Sequence, residues 1–441
     1  MATEESQKVS IEFDEFGFVK SYLCPHCGGK VKESHIDDIG TRFFKCEKCG
    51  QYSTKLKTQE RESLEQSLKG LEEVTRPARL EEVGEVLNST IKHDRENKLI
   101  TFLSMLLTYT EEDQINVSFT AESSTGKSYI PLELGWYFPR KDIIEYAYVS
   151  PTAFYHEYGV FLPDPEDRRD VEPEKKRKII YIDLRAKILI FLDQPHDILL
   201  QRLRPLLSHD RKTLVSKITD RHKKGGLRTK TVMIEGYPTV LFCSAKFSMK
   251  DQERTRLLML SPETSTEKIR EGILLRIQKE SDRQAFQEFM ESNSRRNWLR
   301  RRVQEIADSN IHYIVVPEEL RAEIADQFFS THNNLIPRHQ RDINRLLAMI
   351  KAHALLNLWH REEAGEFGNT VIVNQEDFLE GFRLYNGISA ANEMDLPPEM
   401  YEIYIHLEPE ISEDGVTRKQ FQTLYYQTFH RTIVRRGQGR F

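Results

Sequence analysis

The sequence has few cysteines and no long apolar run. It contains 5 cysteines in 441 residues, and no segment approaches the roughly 18 apolar residues that a membrane-spanning helix needs. The N-terminal stretch, MATEESQKVS, lacks the charged and then apolar pattern of a signal peptide. These absences predict a cytoplasmic protein with no membrane partner and no disulfide framework.

The sequence also lacks a large excess of charge of either sign. Lys and Arg together number 64 and Asp and Glu 69, which gives a formal net charge of −5. Any nucleic-acid surface must therefore be local rather than spread over the whole protein. Hydrophobic residues make up 39% of the chain and charged residues 30%, which is compatible with a buried core. The length predicts about two to four domains.

Most of the cysteines fall into two C-x₂-C pairs, in CPHCGGK and FFKCEKCGQ, with 18 residues between the pairs. This spacing is typical of a structural zinc site with four thiolate ligands, here Cys24, Cys27, Cys46 and Cys49. Disulfides are rare in a cytosolic chain, and a redox role lacks its usual βαβ context. We predict a zinc ribbon over residues 1–55, with nucleic-acid contact and protein docking both open as its role.

A second motif lies in INVSFTAESSTGKSYIPLEL, at residues 115–134, where a β-prone run leads into a loop and then a helical pattern. The loop is typical of a phosphate-binding loop with alanine in place of its first glycine, and consists of Ala121, Glu122, Ser123, Ser124, Thr125, Gly126, Lys127 and Ser128. Its backbone N–H groups would face phosphates, Lys127 would reach the β- and γ-phosphates, and Ser128 would ligate Mg²⁺. The motif therefore predicts ATP binding; the alternative is a loop that only caps a helix.

The stretch KILIFLDQ, at residues 187–194, predicts a buried parallel strand that ends in an acid. Asp193 would hold the Mg²⁺ ion directly or through water, unless it is an ordinary cap. ATPases of this kind usually carry a glutamate at the next position, where this chain has Gln194. An amide can orient a water but cannot accept its proton, so hydrolysis either uses another carboxylate or is slow.

Residues 195–220 are predicted to be largely helical, and a hairpin is predicted over residues 221–235. Its turn is Gly225-Gly226. The candidate DNA-binding residues flank this turn and are Lys223, Lys224, Arg228 and Lys230. The alternative is a solvated surface hairpin whose lysines prevent edge pairing.

Further buried strands are predicted at residues 239–243, ending at Ser244, and at residues 257–260. The end of the first should lie beside Asp193, where Ser244 would contact the γ-phosphate or its water. Residues 179–183 are predicted to form one arm of an inserted hairpin. Helical patterns are predicted at residues 81–109, 266–310, 318–330, 338–361, 374–386 and 397–408.

The order of these parts resembles that of AAA+ ATPases, and within them the branch with a hairpin before the fourth core strand. That branch includes the minichromosome-maintenance helicases and the viral and plasmid replication helicases. The resemblance covers residues 95–390 and implies a first sensor at Ser244 and an arginine finger at Arg256, with Arg254 as second choice. It also implies a second sensor at Arg341 or Arg345, on a helical lid that could place an arginine on the bound nucleotide. Gln194 and Ser244 depart from the usual glutamate and asparagine.

We therefore predict an α/β fold with an AAA+ core at residues 95–265. The other predicted parts are the zinc ribbon at 1–55, a linker at 56–94, a helical lid at 266–390 and a winged helix at 391–441. The predicted function is that of a hexameric, ring-forming, ATP-driven DNA helicase or translocase that acts in replication of a mobile element or virus, with ATP, Mg²⁺ and Zn²⁺ as cofactors. The alternatives are an ATP-binding, DNA-docking switch with little hydrolysis, and a zinc-ribbon transcription regulator.

Overall fold

The computed structural model divides the chain into two compact units, Met1–Arg76 and Pro77–Phe441. The residues that it describes are 10–13, 19–24, 27–36, 42–50, 52–54, 72–121, 124–150, 159–164, 178–220, 228–244, 255–332, 334–365, 368–394, 398–411 and 415–429.

The described strands of the first unit are short. They are β1 (Ser10–Phe13), β2 (Val19–Leu23), β3 (Val31–Ile36), β4 (Arg42–Cys46) and β5 (Tyr52–Thr54). β1 pairs with β2, and β3, β4 and β5 form a separate antiparallel sheet. Phe43 and Phe44, which precede the second cysteine pair, lie in β4.

The second unit contains the remaining described strands and helices. Its strands are β6 (Asn116–Thr120), β7 (Ile143–Tyr146), β8 (Val160–Pro163), β9 (Lys178–Asp183), β10 (Ile188–Phe191), β11 (Thr213–Asp220), β12 (Arg228–Glu235), β13 (Thr239–Ser244), β14 (Leu257–Leu260), β15 (Tyr313–Val315), β16 (Glu363–Ala364) and β17 (Thr370–Ile372). Its helices are α1 (Leu80–Leu87), α2 (Arg95–Leu106), α3 (Tyr129–Gly135), α4 (Asp197–Leu207), α5 (Thr266–Ser281), α6 (Arg283–Glu291), α7 (Ser294–Ala307), α8 (Glu318–Thr331), α9 (His339–Leu356), α10 (Gln375–Glu393), α11 (Pro398–Leu407) and α12 (Arg418–Phe429).

A five-stranded parallel sheet forms the centre of this unit, in the order β14-β6-β13-β10-β7. Every residue of β10, β13 and β14 is buried. Strands covered on both faces carry near-continuous apolar runs rather than alternating ones, which explains the patterns ILIF and TVLFC. The mixed α/β fold with a parallel sheet is thus as predicted.

A second sheet, in the order β11-β12-β9-β8, packs on the same core. Ile180 of β9 and Val232 of β12 lie in one apolar cluster with Phe191 of β10 and Phe242 of β13. The rings of Phe191 and Phe242 stack with their centroids 5.3 Å apart. β9 pairs antiparallel with β8, so residues 179–183 do form an arm of a hairpin, as predicted.

The prediction that residues 195–220 are largely helical was wrong for its second half. α4 ends at Leu207, and residues 213–220, TLVSKITD, form β11, the first arm of the basic hairpin. β-Branched residues recur along this stretch and favour a strand. The eight residues from Thr213 to Asp220 pair antiparallel with β12, which runs from Arg228 to Glu235. The pairing with β12 therefore makes this stretch a strand and not a helix.

The helical pattern predicted from residue 81 to residue 109 is interrupted at residues 88–94. Asn88, Ser89 and Thr90 compete for backbone hydrogen bonds and weaken a helix. His93 and Asp94 adopt positive φ angles of 54° and 48°, which no α-helix accommodates. The interruption places Asp94 at the start of α2, close to the loop that follows β6.

The described residues after β14 form mainly helices and one small sheet. The predicted helices at 266–310 are α5, α6 and α7, and the one at 338–361 is α9. β15, which precedes α8, forms a three-stranded sheet with β16 and β17, which follow α9, in the order β15-β17-β16. Of the expected winged helix, the structure describes α11 and α12, whereas the basic tail after residue 429 lies outside the described residues.

Candidate functional site

The segment from residue 121 to residue 128, called here the 121–128 loop, connects β6 to α3. Ser124 and Gly126 have φ angles of +69° and +98°, a region that favours glycine and marks a tightly constrained backbone. The carbonyl of Gly126 accepts hydrogen bonds from the N–H groups of Tyr129 and Ile130 at 3.0 and 3.1 Å, so the helix begins directly after the loop. Two loop residues, Glu122 and Ser123, lie outside the described residues.

The carboxyl ends of β6, β13 and β10 meet at one edge of the parallel sheet, because β13 pairs in parallel with both neighbours. Cys243 of β13 is fully buried there, and its Sγ lies 3.3 Å from the carbonyl oxygen of Lys127. Burial raises the pKa of the Cys243 thiol to about 12, while a hydrogen bond with Ser128 and the charge of Lys127 act to lower it and Asp193 acts to raise it. The buried Cys243 thiol therefore packs against the end of the 121–128 loop.

Gln194 and Ser244 adjoin this position. The Ser244 hydroxyl lies 3.4 Å from Oε1 of Gln194, and the Gln194 N–H donates to Oδ1 of Asp193 at 2.8 Å. The expectation that the end of β13 lies beside Asp193 is thus observed. A bound nucleotide at the 121–128 loop would have Asp193, Gln194 and Ser244 on the same side of the sheet as Lys127.

A second lysine, which the sequence analysis did not identify, contacts the 121–128 loop. Lys268, in the first turn of α5, donates to the carbonyl of Thr125 at 3.3 Å and forms an ion pair with the buried carboxylate of Asp94. The N–H of Glu263 donates to Oδ1 of Asp94 at 2.6 Å. The sequence gives one indication of this contact, which is a lysine in the first turn of a helix. The helix dipole disfavours a cation at that position unless an acidic side chain lies nearby.

The arginines assigned by resemblance lie at the opposite edge of the sheet. Arg256 immediately precedes β14 and donates to the hydroxyl of Ser208, and Arg341 of α9 donates to the hydroxyl of Thr255. Arg345 is buried and donates to the carbonyl of Leu257 at 2.7 Å. All three line a cavity of about 360 Å³ at the amino-terminal ends of β6 and β14.

This placement puts Arg341 and Arg345 at the edge away from the 121–128 loop of their own chain, so the sensor role that the resemblance implies for them stays a prediction. β14 and β6 run parallel with Leu257 opposite Asn116, and the 121–128 loop begins where β6 ends. One strand length of four to five residues, on the order of 15 Å, separates the two edges. Arg345 is also held by Asp342 at 2.6 Å and by the carbonyl of Thr255 at 3.0 Å, so it anchors α9 to β14.

The basic hairpin is described in part. Lys230 lies on β12 opposite Ile218 of β11, and the backbone of Arg228 pairs with Asp220. Lys223, Lys224 and the predicted glycine turn lie outside the described residues. The first arm, Thr213–Asp220, lies before the predicted start at residue 221, whereas the second arm ends at Glu235, where the predicted hairpin also ends.

In the first unit, the side chains of Cys24, Cys27, Cys46 and Cys49 converge, and their sulfurs all lie within 4.8 Å of one another. Cys24 Sγ is 3.6 Å from Cys49 Sγ, and Cys27 Sγ is 3.5 Å from Cys46 Sγ. A tetrahedral ion with metal–sulfur bonds of about 2.3 Å requires sulfurs about 3.8 Å apart. The four thiols could therefore hold one metal ion.

The two cysteine pairs share one backbone geometry. Gly28 and Gly50 follow the pairs with φ angles of +65° and +72°. Their N–H groups donate to the carbonyls of Cys24 and Cys46 at 2.9 and 3.0 Å. The Cys49 N–H faces the Cys46 sulfur and lowers the pKa of that thiol to about 6, which favours the thiolate that a metal needs. At Cys46, the turn that Gly50 closes thus directs a backbone amide toward the sulfur.

Comparison with known proteins leaves the family open. No family model matches the chain, and no curated protein matches it. Among the helices that the structure describes, none is long and apolar enough to cross a membrane. The resemblance to AAA+ ATPases therefore remains a prediction.

His209 makes a testable contribution to stability beside the arginine-lined cavity. Burial lowers the pKa of its imidazole to about 4, against the opposing charge of Asp210. Below its ordinary pKa of about 6.5, the unfolded chain binds a proton that the folded chain does not. The free energy of unfolding should therefore fall between pH 6.5 and pH 4, by about 2 kcal/mol at pH 5 from this group.

Urea unfolding of the parent and of His209→Gln at pH 7 and pH 5 measures this contribution. The variant should lose less stability than the parent on acidification, and His406→Gln, at an exposed histidine of α11, should behave as the parent does. An equal pH dependence for His209→Gln and the parent would show that His209 is protonated in the folded protein.

Proposed function

We propose that the protein is an AAA+ ATPase that assembles into a ring, and that it uses ATP to unwind or translocate DNA during replication of a mobile element or virus. The observation that carries the proposal is that the 121–128 loop, Ser244 and the segment Asp193–Gln194 lie at one carboxyl edge of the parallel sheet, where the Cys243 thiol contacts the carbonyl of Lys127 at 3.3 Å and Ser244 lies 3.4 Å from Gln194. In open parallel sheets, ligands bind outside the carboxyl ends of the strands. A cation, a hydroxyl and a carboxylate at that edge are the groups that bind a nucleoside triphosphate with Mg²⁺.

The proposed roles follow from the side chains. Lys127 neutralises the β- and γ-phosphates, and Ser128 and Asp193 hold Mg²⁺, which would supply charge stabilisation as the terminal phosphate leaves. Gln194 and Ser244, 3.4 Å apart, orient the attacking water. The amide of Gln194 cannot take the proton of this water, so turnover is slow unless another carboxylate does so.

The location of Arg256 supports a site shared between subunits. It lies at the edge of the sheet opposite to the 121–128 loop, so it cannot serve the nucleotide of its own chain. An arginine supplied by a neighbouring subunit can stabilise the charge that develops on the γ-phosphate. Arg341 donates to the residue before Arg256, so both would act on the same neighbour. A contact between unlike faces forms a ring when the rotation from one subunit to the next closes, and we propose that it closes here as a hexamer.

Two variants test the shared site. Lys127→Ala should abolish nucleotide binding, because it removes the cation at the phosphates. Arg256→Ala should leave binding intact and reduce hydrolysis by about 10³-fold or more. Fluorescent-nucleotide titration and phosphate release measure the two effects, with the exposed Arg321→Ala of α8 as control.

Mixing the two inactive variants makes the test sharper. The Arg256→Ala subunit still binds nucleotide, and the Lys127→Ala subunit still supplies Arg256. A site formed between these two subunits therefore contains both groups. The mixture should therefore regain part of the parent activity. Normal hydrolysis by Arg256→Ala alone would contradict the shared site.

A second candidate function, a nucleotide-dependent DNA-docking switch, is favoured by Gln194 alone. If the chain is a motor, the parent protein should release phosphate in the presence of single-stranded DNA. Gln194→Glu should release phosphate faster, because a carboxylate can accept the proton of the attacking water. The measurement is DNA-stimulated phosphate release by both proteins. A parent with no release that gains it through Gln194→Glu would identify the switch instead.

We further propose that the ion held by Cys24, Cys27, Cys46 and Cys49 is zinc, since four thiolates in tetrahedral geometry suit Zn²⁺. Elemental analysis should find about one zinc per chain, and Cys27→Ser should lose it together with thermal stability of the first unit. Cys243→Ala, outside the cluster, is the matched control and should retain the metal. Full zinc content in Cys27→Ser would rule out this assignment.

A further inference from the structure

The side chain of Lys268 lies between a buried carboxylate and the backbone of the 121–128 loop. Its ammonium group forms an ion pair with Asp94, whose side chain has no exposed surface, and donates to the carbonyl of Thr125 at 3.3 Å. A β-carbon added to Gly126 would lie 3.9 Å from the same nitrogen, so the ammonium packs directly against the loop. Only 15% of the Lys268 side chain is exposed. Lys268 is therefore not an ordinary solvated surface lysine.

The groups on either side of this ammonium are themselves held in place. Oδ1 of Asp94 accepts hydrogen bonds from the Glu263 N–H at 2.6 Å and from Nδ2 of Asn97 at 2.9 Å. The backbone N–H of Lys268 donates to the hydroxyl of Ser265, the N-cap of α5, at 3.3 Å. An ammonium group has three N–H donors, so the ion pair leaves donors for the loop. An ion pair that only tied α5 to the start of α2 would not need the second bond.

The bond to the Thr125 carbonyl sets the direction of the next N–H group. The Thr125–Gly126 peptide is trans, and in a planar trans peptide the C=O and N–H groups point in opposite directions. With the carbonyl held by Lys268, the Gly126 N–H points away from the ammonium group. The Gly126 carbonyl is also occupied, since the N–H groups of Tyr129 and Ile130 donate to it at 3.0 and 3.1 Å. Backbone N–H groups ordered in this way are the groups that bind phosphates in such loops.

We infer that Lys268 is a positioning residue for the nucleotide, which holds the Thr125–Gly126 peptide with its N–H group directed toward the phosphates. The inference rests on the proposed function and adds to its site a residue that the resemblance to AAA+ ATPases did not supply. Lys268 acts through the backbone of the loop and does not touch the nucleotide. Asp94 offsets its charge, whereas Lys127 supplies the charge that faces the phosphates.

The first experiment removes the ion pair as a unit. Lys268→Met alone would leave the Asp94 carboxylate buried and unpaired, which destabilises a protein whatever the role of the lysine. Asp94→Asn/Lys268→Met leaves no buried charge, and the asparagine keeps the Oδ1 that accepts from the Glu263 N–H. The double variant should unfold at nearly the parent temperature. It should bind a fluorescent, non-hydrolysable ATP analogue about 10-fold more weakly than the parent, which is the effect of one lost hydrogen bond to a charged group.

The second experiment restores the cation and observes the loop directly. Lys268→Arg keeps donors for both Asp94 and the Thr125 carbonyl, so it should recover most of the affinity that the double variant loses. Amide hydrogen exchange of the segment 116–130, without nucleotide, should be faster in the double variant than in the parent and close to the parent rate in Lys268→Arg. Lys279→Met, at an exposed lysine of α5, is the matched control and should equal the parent in both measurements.

The outcomes separate the inference from the proposed function. If the parent binds the ATP analogue and the double variant binds it equally tightly, or shows unchanged exchange in the loop, the inference is overturned while the proposed function stands. If the parent binds no nucleotide, both are overturned. If the double variant binds about 10-fold more weakly at unchanged thermal stability and Lys268→Arg recovers the affinity, both are supported.

Discussion

The parallel pairing of β13 with β6 on one side and β10 on the other is the constraint on which the candidate site depends. Each strand ends in a different chemical group: the 121–128 loop after β6, Ser244 at the end of β13, and Asp193 after β10. Only a parallel arrangement brings all three ends to one edge. The burial of β10 and β13 on both faces fixes their register, because a slip of one residue would turn every side chain to the other face.

The two edges of the sheet differ in how their charged groups are held. At the amino-terminal edge, Arg345 is buried and satisfied by carbonyl oxygens and by Asp342, which is the arrangement of a structural anchor. At the carboxyl edge, Lys127 and Ser128 are only partly buried and stand next to Asp193. The groups to which we assign phosphate and Mg²⁺ binding thus lie at the edge where open α/β sheets bind ligands.

The sequence was informative where local chemistry decides structure, and less so where distant contacts decide it. Buried strands ending in Asp193 and Ser244 could be read from apolar runs, and the cysteine cluster from spacing alone. β11 was missed because its pairing with β12 outweighs a weak local helical pattern. The contact of Lys268 with the 121–128 loop depends on its ion pair with Asp94, which is far away in sequence. The edge of the sheet at which Arg345 lies depends on where α9 packs. Neither contact can be predicted from the residues that surround Lys268 or Arg345 in the sequence.

Backbone strain points to the same edge. The described non-glycine residues with positive φ are His93, Asp94, Ser124, Ala186 and His209. Three of them, His93, Asp94 and Ser124, lie in or beside the 121–128 loop, linked through Lys268. Such conformations cost about 1 kcal/mol or more each and persist only where the surroundings enforce them. The buried Asp94–Lys268 pair supplies that enforcement. Because Lys268 belongs to α5, a movement of this helix would be transmitted directly to the backbone that is proposed to hold the phosphates.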